Sequence, residues 1–236
     1  MSLDDKEVAV GQDTAEEIPN LPRCGQPCDT RRVSQISDKD YRIMILNAMH
    51  ENSNSLVVRG EYEVALDVFQ EVYEERRQLL GEDDHSTLST RHQLAWTLMS
   101  QGRIHEAFVI FGDVYERSKR CHGVCDELTL VARDNMAYVL AKIGRYAESL
   151  EIYKEVYKIE AGLHGKNHQR NLITKQSIAA LHFHLEQYDV AIDMFRCLLE
   201  TMQVVLGKDH ELTVKNVEFM EEIRKIKKEN HSCVVM

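Results

Sequence analysis

Apolar positions return at helical spacing through most of the chain. Met136, Ala137, Leu140 and Ile143 share one helix face, and Ala147, Leu150, Tyr153, Val156 and Tyr157 share another. Gly144 divides the two runs and Gly165 closes the second. Both suit a helix C-terminus, where a left-handed residue costs least without a Cβ. The same spacing predicts helices near residues 40–58, 62–79, 86–101, 104–120, 127–143, 146–162, 169–185, 188–205 and 211–229. In the last of these, Val217, Met220, Ile223 and Ile226 lie on one side with charge elsewhere, as expected of a helix that caps its neighbour.

The pattern repeats. GEDDHSTL begins at Gly81, GVCDELTL at Gly123, GKNHQRNL at Gly165 and GKDHELTV at Gly207, each 42 residues after the last. A second set keeps step: RGEYEVALDVFQEVY from Arg59, QGRIHEAFVIFGDVY from Gln101, IGRYAESLEIYKEVY from Ile143 and LEQYDVAIDMFRCLL from Leu185. Small residues recur at Ala65, Ala107, Ser149 and Ala191, where two helices can approach closely. Aromatic residues recur at Phe69, Phe111, Tyr153 and Phe195, where they fill the space beside that approach. Many columns in one register mark an internal repeat. A helix pair cannot bury its apolar face alone, so the pairs must stack. The expected fold is all-α: four 42-residue helix pairs and a capping helix over residues 37–229. The three prolines, Pro19, Pro22 and Pro27, confine helix breaking to the first segment. Residues 1–36 are therefore expected to be a flexible acidic arm, and 230–236 a flexible tail.

The pattern G-R-Y-x-E-[AS]-x-x-[IL]-Y, followed by a long second helix and then G-x-x-H-x-x-T-[LV], resembles the 42-residue tetratricopeptide repeats of the kinesin light chain and nephrocystin-3 group. The resemblance covers about residues 43 to 216. It implies a right-handed α-solenoid whose first helices line a concave surface that binds a protein or peptide. Carried onto those positions, the groove presents His50, Glu51 and Asn54, then His92, Gln93 and Trp96, then Asp134, Asn135 and Tyr138, then Gln176 and Ser177. Amides such as Gln93 and Asn135 suit the backbone of an extended peptide, with an aromatic anchor beside them. Trp96 and Tyr138 stand 42 apart and so in equivalent places; the competing reading has them packing between adjacent helices. The chain departs from the family pattern at Glu186, which replaces a loop glycine, and at Asp84 and Asp126, where the family often has His. The paired asparagines of light chains survive only as Asp134-Asn135. The sequence also lacks the long heptad region with which a light chain holds its heavy chain.

Composition narrows the function classes. Of 236 residues 43% are hydrophobic and 29% charged, ordinary for a core-forming chain. The net charge of -10 argues against non-specific nucleic-acid binding by the whole molecule. MSLDDKEVAVGQ is acidic and lacks the apolar core of a secretory signal, so a cytoplasmic location is expected. In that reducing compartment the six cysteines are expected to stay unpaired. Cys121, His122 and Cys125 lack the C-x2-C spacing of a strong zinc site. His182 and His184 are two apart and face different ways on a helix, and His168 and His210 fall at one repeat column as turn residues. No P-loop, G-x-S-x-G, H-E-x-x-H or dinucleotide fingerprint occurs. The expectation is a non-enzyme with no catalytic residue, cofactor, metal or small-molecule substrate.

The chain ends RKIKKENHSCVVM. Cys233-Val234-Val235-Met236 fits C-a-a-X, with Met favouring a farnesyl group on Cys233. One prenyl chain gives marginal membrane residence and needs a second signal. Arg224, Lys225, Lys227 and Lys228 would supply it against an anionic leaflet, weakened by Glu221, Glu222 and Glu229. The expectation is an adaptor held on cytosolic membrane faces. The alternative is a soluble, light-chain-like cargo adaptor whose tail is incidental.

Overall fold

The computed structural model describes residues 37–234, with side chains through Lys227. Nine α-helices and no strand occur among the described residues. They are α1 (Asp38–Val58), α2 (Tyr62–Leu80), α3 (His85–Ser100), α4 (Ile104–Cys121), α5 (Glu127–Lys142), α6 (Tyr146–His164), α7 (Gln169–His184), α8 (Tyr188–Val205) and α9 (Glu211–Val234). The bounds fall within two residues of those the periodicity predicts, except at the end of α9. There the backbone stays helical to Val234 because neither Gly nor Pro follows Gly207. The arm expected over residues 1–36 lies outside the described residues.

Each helix packs on the next, and in addition α1 touches α3 and α3 touches α5. That is the contact pattern of helical hairpins stacked in line. Ala65, Ala107, Ser149 and Ala191 are fully buried, as are Phe69, Phe111 and Phe195, and Tyr153 is nearly so. Ser149 sits in the small-residue column without cost because its hydroxyl donates to the Ala137 carbonyl at 2.7 Å. Packing depends on these columns. Fully burying an aliphatic or Phe side chain contributes about 1.5–3 kcal/mol, and the close approach admits nothing larger than Ser in the first column.

The turns inside the hairpins share one geometry. Glu61, Arg103, Arg145 and Gln187 each donate their backbone N–H to the carbonyl five residues earlier at 2.9 Å. This closure requires a left-handed residue just before the donor. Gly60, Gly102 and Gly144 supply it at φ 78°, 84° and 82°, and in the fourth hairpin Glu186 is forced to φ 60°. A left-handed residue with a Cβ costs about 1–2 kcal/mol, and glycine gives back part of that as chain entropy. Glu186→Gly should therefore stabilise the fold by about 0.5–1 kcal/mol, seen as a higher urea midpoint; a lower midpoint would show the Glu186 side chain to be compensated elsewhere.

Between hairpins, Asp84 and Asp126 cap the first turns of α3 and α5. Asp84 Oδ1 accepts from Ser86 N–H at 2.9 Å, and Asp126 Oδ2 from Thr129 N–H at 3.0 Å. At the equivalent position His168 makes no side-chain cap, while His210 Nδ1 accepts from Leu212 N–H at 3.2 Å.

Candidate peptide-binding groove

The first helices of the hairpins, α1, α3, α5 and α7, form one row by repeat position, in which α1 touches α3 and α3 touches α5. Three columns of this row carry the positions singled out from the sequence, and they do not behave alike.

The column of His50, His92, Asp134 and Gln176 turns inward. His50, His92 and Gln176 are each only 8% exposed. These three residues, expected from the sequence on the groove, are thus buried side chains in the chain by itself. His50 meets Phe69 edge-on at 5.3 Å between ring centres, and His92 meets Phe111 at 5.2 Å. Burial, reinforced by the Arg76 guanidinium, lowers the His50 pKa to about 4; burial alone does the same to His92. Asp134 moves the other way. Burial and the neighbouring Glu160 carboxylate raise its pKa to about 7 against the opposing pull of Arg170, and its Oδ1 is buried without a hydrogen-bond partner. The sequence held a signal for this column. Each histidine precedes the buried Phe of its own hairpin by the same interval, so a repeated contact within the hairpin was readable.

The other two columns stay half-buried. One holds Gln93, Asn135 and Ser177, the other Asn54, Trp96 and Tyr138. Asn135 spans two hairpins: its amide Nδ2 donates to His92 Nε2 at 2.7 Å, which fixes the histidine proton on Nδ1. One amide proton of Asn135 is thereby committed. The Ser177 hydroxyl reaches the Ile173 carbonyl at 3.3 Å and also hydrogen-bonds Tyr153. Asn54 has Glu51 beside it at 3.5 Å. Trp96 packs its inner side on the cluster of Ala95, Leu98, Ala107 and Phe111. Tyr138 carries the Lys142 ammonium over its ring at 5.5 Å. The arrangement sets amide and hydroxyl groups beside two aromatic side chains, with Glu51 and Lys142 as the charges next to them.

The basic run before the C-terminus is less free than the sequence implies. Arg224 and Lys225 are exposed, but Lys227 pairs with Asp189 on α8. The side chains of Lys228 and Cys233 lie outside the described residues. Cys121, Cys125 and Cys197 are free thiols at the surface. Among the described residues, no three His, Cys, Asp or Glu side chains converge as a metal-binding set, and no helix is long and apolar enough to cross a membrane.

The buried second-helix column differs from hairpin to hairpin. Arg76, Ser118, Glu160 and Met202 occupy one repeat position, and all are buried. Arg76 donates to the Ser86 carbonyl, Thr90 Oγ1 and Asn47 Oδ1 at 2.7–3.0 Å. Ser118 bonds Asp126 at 2.9 Å, and Glu160 receives Arg170 at 2.5 Å. Met202 packs on Leu172 and Leu198. The first three junctions thus carry different polar partners across the interface.

Comparison with known proteins agrees with this geometry. Residues 44–120 and 128–203, together more than half of the chain, match the tetratricopeptide-repeat family. No curated protein matches the sequence. Among solved structures, the nearly identical TPR-like repeats of a Podosopora anserina protein named for the kinesin light chain superpose with a TM-score of 0.66 at 17% identity, over 80% of this chain and 91% of that one. BtubC (BKLC) from P. vanneervenii superposes at 0.57 and 14% identity, over 84% and 89%. The chain belongs to the tetratricopeptide-repeat family.

Proposed function

We propose that this protein is a non-enzymatic scaffold that holds an extended partner peptide along the row formed by α1, α3, α5 and α7. The observation that carries the proposal is the pair of half-buried columns, Gln93–Asn135–Ser177 and Asn54–Trp96–Tyr138, which run unbroken across successive hairpins. Backbone-directed polar groups beside aromatic side chains suit an extended chain, and aromatic residues dominate such interfaces energetically. Trp96→Ala tests it. Peptides selected on the natural chain from a displayed random library should bind the variant at least tenfold more weakly, while stability falls by about 1–2 kcal/mol, as for a half-buried ring. Undiminished peptide binding would sink the proposal. So would a stability loss of about 3–5 kcal/mol, the range of a fully buried Trp.

The tail extends the proposal to membranes. Where Cys233-Val234-Val235-Met236 are the last residues translated, farnesylation of Cys233 with exposed Arg224 and Lys225 would tether the scaffold to an anionic cytosolic leaflet. Cys233→Ser should then release the protein from membranes in cell fractionation without changing peptide binding. Equal distribution of both forms would favour the soluble, light-chain-like adaptor instead.

A further inference from the structure

A cleft of about 160 Å³ opens where α4, α5 and α6 meet. Its apolar lining is formed by the buried Leu130 and Val156, the half-buried Ile159 and the exposed Val124, together with Tyr115. Two cations converge on that tyrosine. The Arg133 guanidinium lies over the ring at 4.7 Å and the Lys119 ammonium at 5.2 Å. The one carboxylate in the lining is Glu155, which meets Arg133 at 3.0 Å from a side chain 65% exposed. An ion pair so exposed is weak and readily exchanged. Arg133 Nε is buried and has no hydrogen-bond partner, which is costly for a charged donor.

The repeat explains why the cleft is open here. One repeat earlier, the positions of Val124 and Ile159 are held by Glu82 and Arg117. Those two bond each other at 3.0 Å, and Arg117 also reaches Asp113 at 3.1 Å. Tyr73 and Arg91 hold the places of Tyr115 and Arg133, with Arg91 pairing with Asp113 at 2.9 Å. The equivalent place is therefore closed by a network of charges that satisfy one another. Between α4, α5 and α6 the network has lost an acid and a base to aliphatic residues. What remains is a cation pair, an apolar lining and an unmatched donor.

We propose that this cleft is a second docking site, which takes a carboxylate borne beside an aliphatic side chain, as at a C-terminal leucine of a partner polypeptide. Charge complementarity selects the class: two cations face one exposed acid, and the Arg133 Nη2–H that now meets Glu155 becomes available to a carboxylate once Glu155 swings aside. Size selects the rest. The volume equals about five waters, enough for one short apolar side chain. On α5, Arg133 and the groove residue Asn135 are separated by about 200° around the axis, so the cleft and the groove are different faces and the proposal stands apart from the groove reading.

The test uses the full-length chain, labelled with 15N, and two probes: acetyl-Gly-Gly-Leu with a free carboxylate, and its C-terminal amide. The free acid should shift the backbone amides of residues lining the cleft and saturate at millimolar concentration, and the amide should bind at least tenfold more weakly. The double variant Val124→Glu/Ile159→Arg installs the pair that closes the cleft one repeat earlier, and it should abolish binding. If that variant fails to fold, Arg133→Gln takes its place with the same expected loss. Equal binding of acid and amide, shifts confined to the groove, or undiminished binding by the variant would each overturn the proposal.

Discussion

Asp134→Asn should make the protein more stable at pH 8 by up to about 4 kcal/mol and leave it nearly unchanged at pH 4. The sign follows from where the proton sits. Burial and Glu160 raise the folded-state pKa of Asp134 from 3.8 to about 7. Below pH 4 both folded and unfolded chains carry the proton and the group is neutral in the balance. As pH rises, the unfolded chain releases its proton first, and stability falls until the folded chain follows near pH 7. That interval corresponds to about 4 kcal/mol. Asparagine is the neutral form made permanent, and it also removes the uncompensated charge of Oδ1, which has no hydrogen-bond partner.

The histidines of the same column act in the opposite sense. His50 and His92 are held neutral, with folded pKa values of about 4. The unfolded chain gains protons near pH 6.5 and the folded chain does not, so stability is lost as pH falls from 6.5 to 4, by about 3 kcal/mol for each group. In the natural chain these slopes oppose each other between pH 4 and 6.5, and stability peaks near neutrality. In Asp134→Asn only the histidine slope remains, and stability should rise without a maximum from pH 4 to 8. Urea melts of both chains across this range decide it. A gap between the two that is the same at pH 4 and pH 8 would show that Asp134 does not carry the proton assigned to it.

These residues also mark where sequence reasoning stopped. Helix positions were legible because period and punctuation agreed: the small and aromatic columns around Ala107 and Phe111 repeat without exception, and glycines end most of the hairpin helices. The end of α9 was not legible, since nothing after Gly207 breaks a helix and the only cue was falling hydrophobicity. The columns of the first helices were legible, but their depth was not. A helical face is wide, and a rotation of about 100° separates His92 from Gln93, enough to bury one and leave the other half-buried. Least legible were the junctions. Arg76, Ser118, Glu160 and Met202 share a repeat position yet use a cation, a hydroxyl, an anion and a thioether. Arg76, Ser118 and Glu160 reach groups at the start of the following hairpin while Met202 packs within its own, so each choice makes sense only once the stacking is known. The cleft beside Arg133 is the same lesson: Val124 and Ile159 are unremarkable until Glu82 and Arg117 are seen closing the place they leave open.

Phe111→Ala should cost about 3–5 kcal/mol and should divide the solenoid as well as weaken it. The ring is fully buried among Ala95 and Leu98 of α3, Ala107 of α4 and Val139 of α5, so it joins two hairpins. In a stack where each unit touches only its neighbours, stability is a sum of unit and interface contributions. Cutting the central interface should let the two ends unfold separately. Phe195 offers the contrast. It is equally buried, but its cluster of Ala179, Ala180, Ala191, Ile192, Met220 and Ile223 belongs to α7, α8 and α9 at the far end. Phe195→Ala should release those helices first and leave the centre folded. The single tryptophan reports on the centre, because Trp96 packs on the Phe111 cluster. Urea titrations followed by its fluorescence should show the midpoint falling in Phe111→Ala and barely moving in Phe195→Ala, while circular dichroism shows an added early loss of helix in the latter. Equal displacement of the Trp96 midpoint by both variants would mean that the stack unfolds as one unit, with coupling longer than the nearest hairpin. His92 gives an independent reading: without the Phe111 ring against it, its pKa should climb from about 4 toward the ordinary 6.5, which NMR titration of the imidazole measures directly.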